Sequence, residues 1–217
     1  MNDLARRTAS LLSMCLALGS CGGSCPETTT ASTEPMPSSG AERPMLTAET
    51  TAPETMDVSL DELGVVGGSA RLDNRHVANV FGCTGENHSP AIRWSGAPEG
   101  TRSFVLEVHD PDAPTGVGFF HWIVVDLPSD TASLPFDGAS ALPEGALATR
   151  TDYGSAGYGG PCPPPGSPHH YVFTLYAVDT DHLGVDENTS PAVVRFMLGM
   201  HTIALGRATA TFGFPAE

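Results

Sequence analysis

Short alternations of apolar and polar positions, broken by clusters of Gly, Pro, Asn and Asp, occupy the chain from about Met56 onward and predict a mainly β domain. Across residues 103–109, Phe104, Leu106 and Val108 fall on one face of a strand. Residues 120–127 form a near-continuous apolar run stopped by Pro128, the pattern of a central strand buried on both faces. Residues 170–178 and 209–214 read as two further strands. The pattern predicts one helix, from Pro191 to about Leu205. Ser190 is placed to cap it, Pro191 suits the first helical position, and Gly206 suits a left-handed stop. Val194, Met197, Leu198, His201 and Leu205 then share one stripe.

The N-terminal quarter follows other rules. Arg6 and Arg7 precede an apolar run at residues 11–18, too short to span a bilayer but proportioned like a signal-peptide core. It runs into Leu18-Gly19-Ser20-Cys21, which resembles the bacterial lipobox, a signal whose cysteine is lipidated and becomes the first mature residue. The plainer alternative is a secretory signal with a coincidental cysteine. An anchor of several acyl chains at Cys21 would hold the chain stably at a cell-envelope membrane, outside the cytoplasm. Residues 21–55 are rich in Thr, Ser, Pro and Glu and offer little to bury, so they read as a flexible tether. Three segments result: a lipoprotein signal at 1–20, a tether at 21–55 and a folded domain at 56–217.

Charge narrows the partners. The chain of 217 residues carries a formal net charge of -15, which repels nucleic acid and anionic lipid at long range. All ten basic residues are arginines. The absence of lysine excludes Schiff-base chemistry and a lysine-dependent phosphate loop.

Three blocks carry candidate chemistry. Asp110-Pro111-Asp112-Ala113-Pro114 puts two carboxylates at a strand exit, although Asp and Pro also make ordinary turns. Gly118-Phe119-Phe120-His121-Trp122-Ile123 opens an apolar strand with a histidine, which must find a partner when buried. A carboxylate of the first block could serve, and a satisfied core histidine is the alternative. The third block, Tyr158-Gly159-Gly160-Pro161-Cys162-Pro163-Pro164-Pro165 followed by His169-His170-Tyr171, describes a rigid loop whose glycine amides could receive an anion. On its strand, His169 and Tyr171 share the face of Phe173 and Leu175, and His170 points the other way.

Taken in order, FGCTGENHSPAIRW, DPDAP, FFHW, GYGGPCPP and HHYVFTLYA resemble the phosphatidylethanolamine-binding protein family, in particular its bacterial Raf-kinase-inhibitor-like branch, over roughly residues 56–214. The resemblance implies a β-sandwich with a central antiparallel sheet, a smaller second sheet and a C-terminal helix. It also implies a surface pocket for phosphate, acetate or a phospholipid head group. Carried over by motif, the ligand-binding residues are Asp110, Asp112, His121, Gly160, Pro161, His169 and Tyr171. Asp110 or Asp112 would hold His121 or His169 as an imidazolium that donates to the anion, so occupancy should be higher at mildly acidic pH. The chain departs from the family pattern at His170, where arginine is usual, and at Asp126, where asparagine is usual. The helix that shapes the mouth of the eukaryotic pocket has no evident counterpart, which implies a more open pocket.

Cys83 and Cys162 both fall inside motifs, and a disulfide between them competes with a pair of small buried apolar residues. His and Cys spacing matches no closed zinc pattern, and no cofactor is expected. The leading expectation is a non-enzymatic module that binds a small anion at the envelope. A protein-interaction module that inhibits a protease or kinase is the second, as relatives of the family are known for, and a homodimer is compatible with either. A hydrolase built on an Asp–His pair is the third; no Gly-x-Ser-x-Gly elbow is present to supply its nucleophile.

Overall fold

The computed structural model describes residues 54–66 and 69–214. The signal segment, Cys21 and the tether up to residue 53 lie outside the described residues. Within these limits the chain is mainly β, with two sheets and a single α-helix.

The large sheet is built around three long neighbours. These are β6 (Ser103–Asp110), β7 (Phe119–Pro128) and β10 (His169–Val178), each apolar enough to be covered on both faces. Strand β11 (Thr202–Phe212) pairs antiparallel with β10, β10 with β6, and β6 with β7. Beyond β7 lies β9 (Leu147–Ala148), so the run at 120–127 is buried on both faces but lies next to the sheet's edge instead of at its centre. On the far side, β4 (Ser69–Arg71) pairs parallel with β11 and antiparallel with β3 (Gly64–Val66). The short β1 (Glu54–Thr55) also pairs parallel with β11, so two residues of the span assigned to the tether belong to the sheet. The small sheet contains β2 (Asp57–Asp61), β5 (Ala91–Ser95) and β8 (Ser133–Leu134) in that order.

Period-2 alternation sends each long strand's side chains into two different cores. Toward the small sheet, Phe104, Leu106, Trp122, Phe173 and Leu175 pack with Ile92 and Trp94. Toward α1 (Pro191–His201), Val105, Ile123, Val125 and Val178 pack with Val194 and Leu198. The second face also buries Glu107, which the fold tolerates because Arg195 of α1 donates to both its oxygens at 2.9 and 2.7 Å. The same guanidinium sits 4.4 Å from the centre of the Phe120 ring.

The helix is shorter than its pattern predicts. It starts at Pro191 as expected, although the Ser190 side chain makes no capping bond. It ends at His201, and the β-branched pair Thr202-Ile203 opens β11 directly. Leu205 therefore belongs to a strand. Gly206 is not a helix stop but a mid-strand residue over which the β1–β2 connection crosses, where a Cβ would lie 2.4 Å from the Met56 carbonyl oxygen. No helix of the described residues is long and apolar enough to cross a membrane.

Candidate functional site

The chemistry gathers where β6 ends and β10 begins. These strands are antiparallel, with Val172 opposite His109, so Asp110 at the end of one reaches the first residues of the other. His121 enters from the start of β7, which pairs with the end of β6 through Asp110 and Phe119. The long-range ladder, not sequence proximity, thus assembles the site.

Asp110 is buried, yet both of its oxygens are satisfied. Oδ1 accepts the backbone N–H groups of Asp112 and Ala113 at 2.8 and 3.1 Å, closing the turn of the Asp-Pro-Asp loop. Oδ2 lies 2.7 Å from Nδ1 of His169, whose side chain is only 12% exposed. Since a carboxylate can only accept, Nδ1 of His169 carries the hydrogen.

His121 is held differently. Its Nδ1–H donates to the Gly159 carbonyl at 2.8 Å, and the Gly159 amide returns a bond to the His121 carbonyl at 2.9 Å. The ring is 4% exposed, and burial pushes its pKa below the ordinary histidine value. The carbonyls of Gly159 and Gly160 and the charge of Asp110 oppose this more weakly. Burial thus works against the charged form of His121, and the charge of Asp110 that would hold an imidazolium is the weaker influence on it.

Asp112 also takes a different part from the one expected. Its Oδ2 accepts both the backbone N–H and the Nδ1–H of His170, at 2.8 and 2.7 Å, and those bonds pull its pKa below the usual carboxylate value. This pair stands at the rim and latches the Asp-Pro-Asp loop to β10. His170, which faces away from the cavity, is thus a structural partner of the loop.

The cavity itself is about 160 Å³, and Asp110, His121, His169 and Tyr171 all line it. Asp112, Gly160 and Pro161 do not. The Gly160 amide is already used by Asn87 Oδ1 at 2.8 Å, and its carbonyl accepts the Tyr153 hydroxyl at 2.6 Å. Gly160 is required for close approach, since a Cβ there would fall 1.8 Å from the His76 carbonyl oxygen. The loop shapes the cavity from behind instead of donating into it, and its later members Cys162, Pro163 and Pro164 form the wall. Cys162 is bonded to Cys83 with a Cα–Cα distance of 6.0 Å, tying this wall to the loop that carries Phe81.

Two lining residues lie outside the sequence motifs, Thr115 and Tyr153, and two lie inside them without having been expected at the site, Phe81 and Phe119. Phe81 stacks on Tyr153 with centroids 5.6 Å apart, and Tyr153 meets Phe119 and His121 edge-on. Burial, helped by the charge of Asp110, pushes the Tyr153 phenol up to about 12. The same causes raise Tyr171, whose buried hydroxyl has no hydrogen-bond partner among the described residues. A Gly-rich stretch around Tyr153 was the available signal, but nothing in its spacing distinguishes a cavity wall from a surface turn. Among the described residues no cluster of three or more His, Cys, Asp or Glu is arranged to hold a metal ion.

Comparison with known proteins places this geometry in context. The family model described as phosphatidylethanolamine-binding protein matches residues 68–213. The UPF0098 protein YbhB of Escherichia coli is 48% identical over 145 residues, covering 65% of this chain and 92% of that protein. The crystal structure of E. coli YbcL, described as a member of the mammalian PEBP family, is similar with a TM-score of 0.69 and 44% identity, covering 73% of this chain and 98% of that one. A Mycobacterium tuberculosis protein, LppC, named as a proposed lipoprotein, is 33% identical over 166 residues, covering 76% of this chain and 75% of that protein.

Proposed function

The chain belongs to the phosphatidylethanolamine-binding protein family, and on that premise we propose that it is an extracytoplasmic module that receives a small anion, phosphate or a phospholipid head group, in the cavity of Asp110, His121, His169 and Tyr171. The observation that carries this reading is the Asp110–His169 pair at 2.7 Å. A carboxylate whose other oxygen is already fixed by two backbone amides supports an imidazolium on His169, and that ring then donates to an anion through Nε2. The Tyr171 hydroxyl, buried on the same wall without a partner among the described residues, is a second donor.

Binding is favoured over hydrolysis because, Tyr171 apart, the hydroxyl and thiol groups of the lining are engaged, and burial keeps the Tyr171 phenol protonated. Thr115 donates to the Gly118 carbonyl, Tyr153 to Gly160, and Cys162 is bonded to Cys83. The envelope location and the lipid anchor rest on the signal-like residues 1–20, the lipobox-like Cys21 and the name given to the mycobacterial relative. A disulfide between Cys83 and Cys162 suits an oxidising compartment. Phe81 and Val117, both about three-quarters exposed, favour the second reading of a protein-binding face.

Isothermal calorimetry with inorganic phosphate tests the proposal. Binding is expected, and it should weaken as pH rises from about 5 to 8, the range across which an imidazole donor loses its charge. Absence of binding across that range would remove the anion reading.

A further inference from the structure

Phe81 occupies a backbone region that does not suit its side chain. Residues 80–83 form a tight turn, closed by the Cys83 N–H donating to the Val80 carbonyl at 3.0 Å, with φ of 55° at Phe81 and 90° at Gly82. Two consecutive positive φ values make it a type I′ turn, in which Asn, Asp or Gly ordinarily fills the first central place. A bulky residue is disfavoured there because its Cβ crowds the backbone. Burial does not compensate, since Phe81 is 76% exposed.

What holds the turn is local. The base of its loop is pinned by backbone N–H bonds from Ala78 to Pro161, Gly85 to Ala78 and Asn87 to Val77, at 3.1, 3.0 and 2.9 Å. Between Ala78 and Gly85, no further backbone bond joins the loop to the rest of the described residues. The tip has two attachments there, the Cys83–Cys162 bond and the stack of Phe81 on Tyr153. Around Cys162 the chain is stiff, because Pro161, Pro163 and Pro164 fix the backbone. Its Sγ packs 3.6 Å from the Val80 carbonyl oxygen. Loss of the bond therefore frees the turn and not the wall. Phe81 and Cys162 both line the anion cavity, so what frees the turn also opens the site.

Resting on the anion reading above, we infer that the Cys83–Cys162 disulfide is a redox latch that holds Phe81 against the cavity and so couples anion binding to thiol–disulfide exchange. Opening takes two electrons and two protons from a dithiol donor: the S–S bond breaks, two thiols form, and the donor closes to its own disulfide. Neither cysteine is fully buried, so the donor reaches the bond. The freed turn leaves the left-handed region and Phe81 leaves Tyr153. Water then enters, and the anion's hydrogen bonds lose the dry surroundings that strengthen them. By linkage, an anion in the cavity shifts the exchange toward the disulfide by the same factor.

The test compares the full chain, oxidised, with the same chain reduced by dithiothreitol at about pH 8 and moved without air to about pH 5.5. Inorganic phosphate, titrated by calorimetry, is expected to bind the reduced chain at least about fivefold more weakly. The paired substitution Cys83→Ser and Cys162→Ser should bind as weakly and ignore dithiothreitol, which separates this bond from the other cysteines. Phe81→Ala should weaken binding with the disulfide intact, and reduction should then change nothing further, because the latch acts through that ring. Hydrogen exchange reads the turn without any ligand. On reduction the Cys83 amide should lose protection while those of Gly85 and Asn87 keep theirs. Equal affinity in both redox states, or a full reduction effect in Phe81→Ala, would overturn the latch. So would loss of protection at Gly85 and Asn87, which would mean that the whole loop unfolds. No heat from the oxidised chain would overturn the anion reading and its coupling to the bond, and the Cys83 amide would still decide whether the turn is latched.

Discussion

Asp110 and Asp112 stand two residues apart, and burial separates their roles. Asp110 is 3% exposed, with its charge balanced by two amides and an imidazole, whereas Asp112 sits at the rim with His170. In Asp110→Asn the amide can still accept from the backbone, but its NH₂ would face the Nδ1–H of His169, donor against donor. Phosphate affinity should fall at least about tenfold, with a stability loss of about 1–3 kcal/mol, read by calorimetry and urea unfolding. Asp112→Asn should change affinity by less than about threefold, since an amide oxygen can keep the His170 N–H bond and the group is outside the cavity. Equal effects of the two substitutions would contradict this division. The sequence already pointed to both aspartates and to His121 and His169, because ionisable groups at the ends of apolar strands stand out. It could not say which carboxylate pairs with which ring, because that depends on the β6–β10 register, which only the long-range ladder sets.

Among elements, three of the four long strands were legible, β11 was read only from residue 209 and two positions past its end, and the short ones were not legible. Strands β6, β7 and β10 announce themselves through runs of apolar residues, and their ends fall within one or two positions of the pattern. Strands β1, β3, β4 and β9 have two or three residues each, too few to show a period, and exist because a neighbour offers free backbone groups. Helix α1 is overestimated for a related reason. Its apolar stripe continues into Leu205, but pairing with β10 claims the chain from Thr202 onward. The loops around the cavity are held instead by the Cys83–Cys162 bond, which spans a sequence separation of 79. Replacing both cysteines by serine should lower unfolding stability by about 4 kcal/mol if the chain-entropy account holds. A matching drop in the urea midpoint of the unmodified chain under reductant checks it, and an unchanged midpoint would place the loop's stability in the Phe81–Tyr153 stack instead.

At the scale of the whole molecule, two opposing effects act as pH falls. Protonation relieves the self-repulsion of a chain with formal net charge -15, which favours the compact state. Against this, burial holds His76 and His121 below the ordinary histidine pKa, so the unfolded chain binds more protons than the folded one. Their contribution is complete above the unfolded value of about 6.5 and is lost as pH falls through it toward the folded values. Asp73, Asp112 and Asp181, lowered chiefly by hydrogen bonds from Arg75, His170 and Arg102, act with the same sign but only in the carboxylate range near pH 4. Between about pH 7 and 5 the histidines therefore oppose repulsion alone, and salt separates the two because it screens surface charge far more than burial. At about 1 M potassium chloride and without phosphate, the urea midpoint should fall across that window, and His121→Gln should flatten the slope. If the midpoint rises on acidification in both proteins at high salt, the histidines are not buried neutral.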